Sequence, residues 1–324
     1  MRGLVLAMTV LAAVSAGPAA AAGLELEAKI LLGTVSGRID HLAVDPVRGR
    51  LFVAELGNDS VSVVDLAERR VVKRLAGLDE PQGVALVGDT LYVANAGDGS
   101  VRLYQGDDLA PAGRVALGDD ADNIRVDTTS SRVYVGYGSG ALAVIDPVQR
   151  RKIAEIRLAA HPESFQLDPA GSRAFVNVPD AGHIAVVDLG SQKQVAAWRV
   201  PDARSNFAMA LDAETRQVLA AFRHPAKLVA LDAVSGRVTA SLDLCGDSDD
   251  LFLDARRHLA YASCGEGAVD VVDRTSGGLA RIARVPTMSG ARTSLFVPSL
   301  DRLFVAVRAS GSQPAAVWVF RPVP

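Results

Sequence analysis

The stretch His41-Leu42-Ala43-Val44-Asp45-Pro46, a turn to Arg50, and Leu51-Phe52-Val53-Ala54 reads as apolar strand, polar turn, apolar strand. Six more copies follow. With Asp45 as anchor, the equivalent positions are Val87, Asp127, Asp168, Asp212, Asp254 and Pro298, giving successive spacings of 42, 40, 41, 44, 42 and 44. Second strands recur as Leu91-Tyr92-Val93-Ala94, Val133-Tyr134-Val135-Gly136 and Ala174-Phe175-Val176-Asn177, and on to Leu303-Phe304-Val305-Ala306. A third strand usually ends in Asp, as in Val61 to Asp65, Leu142 to Asp146 and Ile184 to Asp188. That carboxylate is expected to accept a backbone N–H two residues on and so start the turn into a fourth strand, such as Arg70 to Leu75.

Four strands in each repeat leave no room for the crossover helices that parallel sheets need. Repeats of this length built from four strands predict an all-β protein, a seven-bladed β-propeller of four-stranded antiparallel blades. The seventh copy supplies three strands, ending at Val317-Trp318-Val319-Phe320. Leu26 to Leu32, ahead of the first copy, is expected to serve as its fourth, so that the N-terminal strand closes the ring in the last blade and hides two sheet edges.

Composition agrees with a folded, strand-rich chain. The 324 residues are 49% hydrophobic and 22% charged, enough apolar matter for a full core. The formal net charge of −3 lacks the electrostatics of a nucleic-acid binder or of a protein held on anionic lipid. At the N-terminus Arg2 precedes an apolar run from Leu4 to Ala13 and the small residues Ala20-Ala21-Ala22. This predicts a signal peptide over 1–22, cleaved before Gly23, with a single mature domain over 23–324. The apolar run is shorter than the roughly 20 residues of a spanning helix, and no membrane insertion is expected. The Ala-rich, Arg-over-Lys composition looks bacterial, so the expected location is periplasmic or secreted, as a monomer.

The strand Tyr92-Val93-Ala94-Asn95, with the related Phe52-Val53-Ala54 and Phe175-Val176-Asn177, resembles the repeat of the YVTN-type seven-bladed propellers, a group that includes YncE-like bacterial periplasmic proteins. The likeness covers essentially all of the mature chain. Rings related to that group include binding platforms, lactonases, lyases and holders of haem or quinone, so the resemblance implies a fold and leaves the activity open.

Propeller topology places the fourth-to-first and second-to-third connections on one face around the central channel. That face is the expected ligand site. The residues assigned to it are Arg38, His41, Glu55, Asn95, Asn123, Tyr137, Glu163, Asn177, Asn206, Arg223, Asp249, Asp250, Glu266, Arg292 and Arg308, alongside Asp40, Asp119, Asp120, Asp122 and Asp247 in the same loops. The opposite face carries bland Asp-rich turns, such as Pro46 to Arg50, that turn chemistry explains.

Three constellations stand out on the convergent face. The acidic loops Asp119-Asp120-Ala121-Asp122 and Asp247-Ser248-Asp249-Asp250 offer oxygen ligands for a divalent cation, Ca²⁺ or Mg²⁺, and no other cofactor is expected. Glu163, Asn206 and Asp249 form a set resembling the ligands of metal-dependent propeller lactonases. Arg38, Arg223, Arg292 and Arg308 suit a carboxylate or phosphate, or else pair with the neighbouring acids. His41, His161, His183 and His224 fall in or beside the same loops, with no two at ligand spacing on one strand.

Cys245 and Cys264 reach the same face as near neighbours and are expected to form a disulfide, two reduced thiols being the alternative. Signatures of covalent haem, nucleophile elbow, zinc helix and phosphate loop are absent from the sequence. Two function classes remain. The first is a binding or scaffolding module for a small, anionic ligand or a partner protein. The second is a metal-assisted lactonase or lyase, with His41 or His161 as acid or base.

Overall fold

The computed structural model describes residues 23–168, 172–275 and 278–323. The expected signal peptide, 1–22, lies outside the described residues. Seven four-stranded antiparallel sheets follow one another along the chain, each ordered first to fourth strand from the axis outward. Blade one is Leu42–Asp45, Arg50–Glu55, Ser60–Asp65 and Arg70–Ala76. Blade three begins at Ala121–Asp127, blade four at Phe165–Leu167, blade five at Arg204–Asp212 and blade six at Ser248–Asp254. Two 3₁₀ turns, Leu56–Asn58 and Pro179–Ala181, are the helical segments among the described residues.

Blade seven takes Ser294–Val297, Arg302–Val307 and Ala315–Val323 from the end of the chain, and Gly23–Gly33 as its outermost strand. Gly23 stands opposite Val323 and Ile30 opposite Val317. The register corrects one detail of the sequence repeat. Asp45 pairs with Arg50 and Asp254 with Leu259, but in the last blade Val297, not Pro298, pairs with Arg302. The final period is therefore one residue shorter than the Pro298 anchor implied.

The core is divided into seven apolar clusters, one between each pair of adjacent blades. Phe52, Val63 and Leu75 of blade one meet Val84, Leu91 and Val93 of blade two. Ile30, Phe304 and Val317 of blade seven meet Leu42, Leu51 and Val53 of blade one, so the seventh cluster joins the last blade to the first. Phe52 is wholly buried, and cutting such a ring back to Ala costs about 3–5 kcal/mol.

Turn acids behave as the sequence implied. Asp65 Oδ1 accepts the N–H groups of Ala67 (2.9 Å) and Glu68 (2.8 Å), and Asp146 Oδ1 those of Val148 and Gln149. First-to-second turns repeat the device at Asp45, Asp127 and Asp212. All of these lie on the face away from the convergent loops.

Candidate functional site

All seven blades contribute to a charged mouth over the channel. Arg38, Gln82, Asp122, His161, Glu163, Phe207, Arg223, Asp249 and Arg292 line a cavity there of about 520 Å³. One wall is a four-membered ion cluster. Arg223 Nη2 donates to Asp249 Oδ1 (2.8 Å) and Arg223 Nε lies 3.2 Å from Asp247 Oδ1. Arg292 Nη1 donates to Asp247 Oδ2 (3.0 Å), and its Nε lies 3.0 Å from Asp249 Oδ2. The Arg223 guanidinium also lies over the Phe207 ring, 3.5 Å from its centroid, a placement that suits a partly desolvated cation.

The opposite wall carries acids with fewer donors. Asp40 is fully buried, with Arg38 Nη2 at 2.7 Å and His41 Nε2 at 3.7 Å. The Arg38 contact is close but poorly directed, and neither Asp40 oxygen receives a hydrogen bond. Asp122 Oδ2 accepts from Asn123 Nδ2 (3.3 Å) and faces His161 Nε2 at 3.8 Å. Its Oδ1, like the Oδ1 atoms of Asn123 and Asn206, is buried without a donor. Buried polar atoms are rarely left this way.

Protonation follows from these neighbours. Burial pushes Glu163 up to about 8, reinforced by the charges of Asp122 and Asp249. Asp40 rises to about 6, again through burial, with His41 and Arg38 opposing. For His41, burial favours the neutral ring but is outweighed by Asp250 and Asp40, which hold it at about 10. His161 behaves likewise: burial is overcome by the Asp122 contact, and the ring sits at about 9. Both imidazoles are therefore cationic at neutral pH and neither is free to act as a base, whereas Glu163 carries a proton.

The expected site residues divide sharply. Arg38, His41, Asn123, Glu163, Arg223, Asp249, Asp250 and Arg292 converge on the mouth or the channel just beneath it. Others are turned into their own blades. Glu55, buried, is held by Ser60, Ser62 and Arg74. Asn95 donates to the carbonyls of Val93 and Ser100, and Asn177 to those of Phe207 and Ala208. Asn206 donates to Asn177 Oδ1 (2.7 Å) and His183 O (3.1 Å). Tyr137 donates to Glu155 on the outer strand, and Glu266 caps the Gly246 N–H at 2.7 Å. Arg308 is exposed beside Gly290.

Glu163, Asn206 and Asp249 do not form a ready coordination set. Both Asp249 oxygens are occupied by arginines, and the Asn206 amide is locked between blades four and five. Among the described residues no three His, Cys, Asp or Glu side chains are grouped closely enough to hold a metal ion. Cys245 and Cys264 are disulfide-bonded, with Cα atoms 5.8 Å apart. Their bridge ties the loop entering blade six to the end of its second strand, directly behind the Asp247 to Asp250 segment.

Residues that the repeat pattern kept out of view lie in the channel wall. Arg125 is the main one: it falls inside the inner strand Ile124-Arg125-Val126, where its blade-one counterpart is Ala43. A charged residue at a position filled by apolar side chains in most copies was the available signal.

No protein-family model matches the chain, and no curated protein matches its sequence. Solved structures match its fold. Hydrazine synthase of Kuenenia stuttgartiensis superposes with a TM-score of 0.76 at 19% identity, over 89% of this chain and 98% of that one. A chain of the mitotic checkpoint complex gives 0.75 at 16% identity, over 98% and 99%. The WD40 repeats of RRP9 give 0.78 at 11% identity, over 93% and 100%. The chain is thus a seven-bladed β-propeller with WD40-like structural neighbours, and likeness at this level of identity concerns the fold alone.

Proposed function

We propose that this protein is an exported binding module of the YVTN type, working as a monomer in an oxidising compartment, whose channel mouth receives a small polar ligand that donates hydrogen bonds. The observation that carries this reading is the donor-less acceptor oxygen of Asp122, which lines the mouth beside the protonated Glu163, backed by the orphaned oxygens of Asp40 and Asn123 buried close to it. Such atoms favour an ammonium or hydroxyl group that replaces the water lost on burial. The anionic ligand expected from sequence is less well served, because Arg223 and Arg292 are already engaged by Asp247 and Asp249. Export is supported by the disulfide and by the N-terminal sequence. No helix among the described residues is long and apolar enough to cross a membrane.

Titration calorimetry with ethanolamine, glycerol, acetate and CaCl₂ tests the reading. Saturable binding of the amine or polyol, weakened at least tenfold by Asp122→Asn, supports it. Saturable binding of acetate alone, indifferent to that substitution, overturns it. The same orphaned oxygens also suit a hard divalent cation, Ca²⁺ or Mg²⁺. Stoichiometric metal by elemental analysis, lost together with activity on a lactone panel, would replace the binding module with a metal-assisted hydrolase, in which Glu163 is the better placed acid.

A further inference from the structure

Below the mouth the channel changes character. One residue of each first strand stands at a common level, fixed by its pairing with the second strand: Ala43 opposite Phe52, Ala85 opposite Tyr92, Arg125 opposite Tyr134 and Gln166 opposite Phe175. Ala210 opposite Leu219, Phe252 opposite Tyr261 and Leu295 opposite Phe304 complete the level. All seven line one cavity of about 440 Å³. That volume is within the range of small-molecule sites. Its walls are mostly apolar, and Val44, Leu211, Phe252, Leu253 and Leu295 are only half-buried although they sit at the centre of the molecule.

Arg125 is the exception on this level. Its guanidinium lies in the channel wall, where Nη1 donates to the carbonyl of Ile124 (2.8 Å) and Nη2 to Ser164 Oγ (3.3 Å). It stands 5.6 Å from the Phe165 ring centroid and, among the described residues, has no carboxylate within 4 Å, in contrast to Arg38, Arg223 and Arg292 above it. Burial lowers its affinity for the proton, with Asp250 and Asp122 acting the other way. The other ionised groups lining the cavity are His41 and Asp250, 3.4 Å apart, which offset each other. What remains is one guanidinium charge in a bore whose other polar lining, Asn123, Gln166 and Ser294, is neutral and whose remaining wall is apolar. A guanidinium keeps its charge even when desolvated and presents a planar fork that matches a carboxylate.

We propose that the channel bore is a second binding site, for an apolar monocarboxylate whose carboxylate meets Arg125 and whose hydrocarbon body lies against Phe252, Leu295, Leu211 and Val44. The proposal rests on Arg125 and the apolar wall and not on the orphaned oxygens of Asp40 and Asp122, although Asn123 lines the same cavity.

Calorimetry with octanoate, octanol and acetate tests it on the full-length folded protein. Octanoate is expected to bind saturably, one per chain, with octanol and acetate each at least tenfold weaker because each lacks one half of the match. Arg125→Met is expected to cut octanoate affinity about tenfold or more while leaving ethanolamine binding at the mouth unchanged. Should Arg125→Met fail to fold, Ala85→Phe fills the bore while retaining the guanidinium, and is expected to abolish octanoate binding. Absence of saturable octanoate binding, or binding that survives Ala85→Phe, overturns the proposal. Loss of amine binding in Asp122→Asn with octanoate binding intact isolates failure or success of the mouth from that of the bore.

Discussion

The two faces of the ring use the same residue types to opposite ends. On the face of first-to-second and third-to-fourth turns, aspartates accept hydrogen bonds, and Asp127, Asp146, Asp188, Asp212, Asp232 and Asp273 lie below the ordinary carboxylate range. A backbone N–H lowers Asp146 and Asp273, and a serine hydroxyl leads in Asp188 and Asp232. In Asp127 and Asp212 burial resists, but hydrogen bonds from Ser130 and Thr215 prevail. On the mouth face, Asp40, Asp120, Glu163 and Asp249 are all raised, each chiefly by burial. Asp122 is lowered instead, because His161 and His41 outweigh burial. Satisfied carboxylates build turns; Asp40 and Asp122, held away from water with oxygens that no donor reaches, mark a place prepared for something else.

The contrast can be broken most forcefully at Asp212. It is buried, accepts two backbone N–H groups and pairs with the equally buried Arg274. Asp212→Ala strands that guanidinium, and a loss of about 3–5 kcal/mol in urea unfolding is expected, with mouth binding unaltered. A loss below 1 kcal/mol would show that the turn acids are as dispensable as exposed pairs.

Next in size is the disulfide behind the acidic loop. Its half-cystines are 19 residues apart, and replacing both with Ser is expected to cost about 3 kcal/mol by the same measurement. Because the bridge backs the Asp247 to Asp250 segment, the Arg223 and Arg292 pairs should loosen as well. Unchanged ligand affinity in that variant would separate the bridge from the site.

A third effect, which shrinks at neutral pH and below, sharpens the contrast by pH. A Glu163 with pKa raised to about 8 stays protonated in the folded chain while the unfolded chain ionises near 4.5. The folded state then holds more protons between those values, so stability falls as pH rises across that window. Glu163→Gln removes this slope. Wild type and variant should melt together at pH 4, and the variant should melt a few degrees higher at pH 8. Turn aspartates give the reverse slope in the acid range, since their lowered pKa contributes stability that is lost as pH falls. Identical melting profiles for the two proteins across pH 4 to 8 would place Glu163 in water.

Much of the fold was legible because strand pairing needs only an apolar pattern and turn chemistry, and both recur in each copy. Tyr92-Val93-Ala94 and Phe52-Val53-Ala54 announce the second strand directly, and the outermost strand of blade seven could be anticipated from the missing partner of Val317 to Phe320. The site was legible as a set of loops but not as a set of roles. Glu55, Asn95, Asn177 and Asn206 end or flank strands at the right height, yet each turns inward to satisfy a neighbouring hydroxyl, arginine or carbonyl. That choice depends on rotamers across blade interfaces, which a linear pattern does not encode. The pairing of Arg223 and Arg292 with Asp247 and Asp249 was one of two readings of the arginines, and contacts between blades five, six and seven decided it. Arg125 escaped notice because the inner strands were read for what repeats, whereas a bore with one charge depends on what does not.

The hydrogen bonds between Gly23–Gly33 and Ala315–Val323 join segments almost three hundred positions apart in the chain. Contacts of such separation are slow to form. Blades one to six can each assemble from consecutive sequence, but the strand made first must wait for the one made last. Until then Gly23–Gly33 has no partner and both its edges stay open to other strands, so the interval between synthesis of residue 33 and arrival of residue 315 is when that strand is most exposed to mispairing.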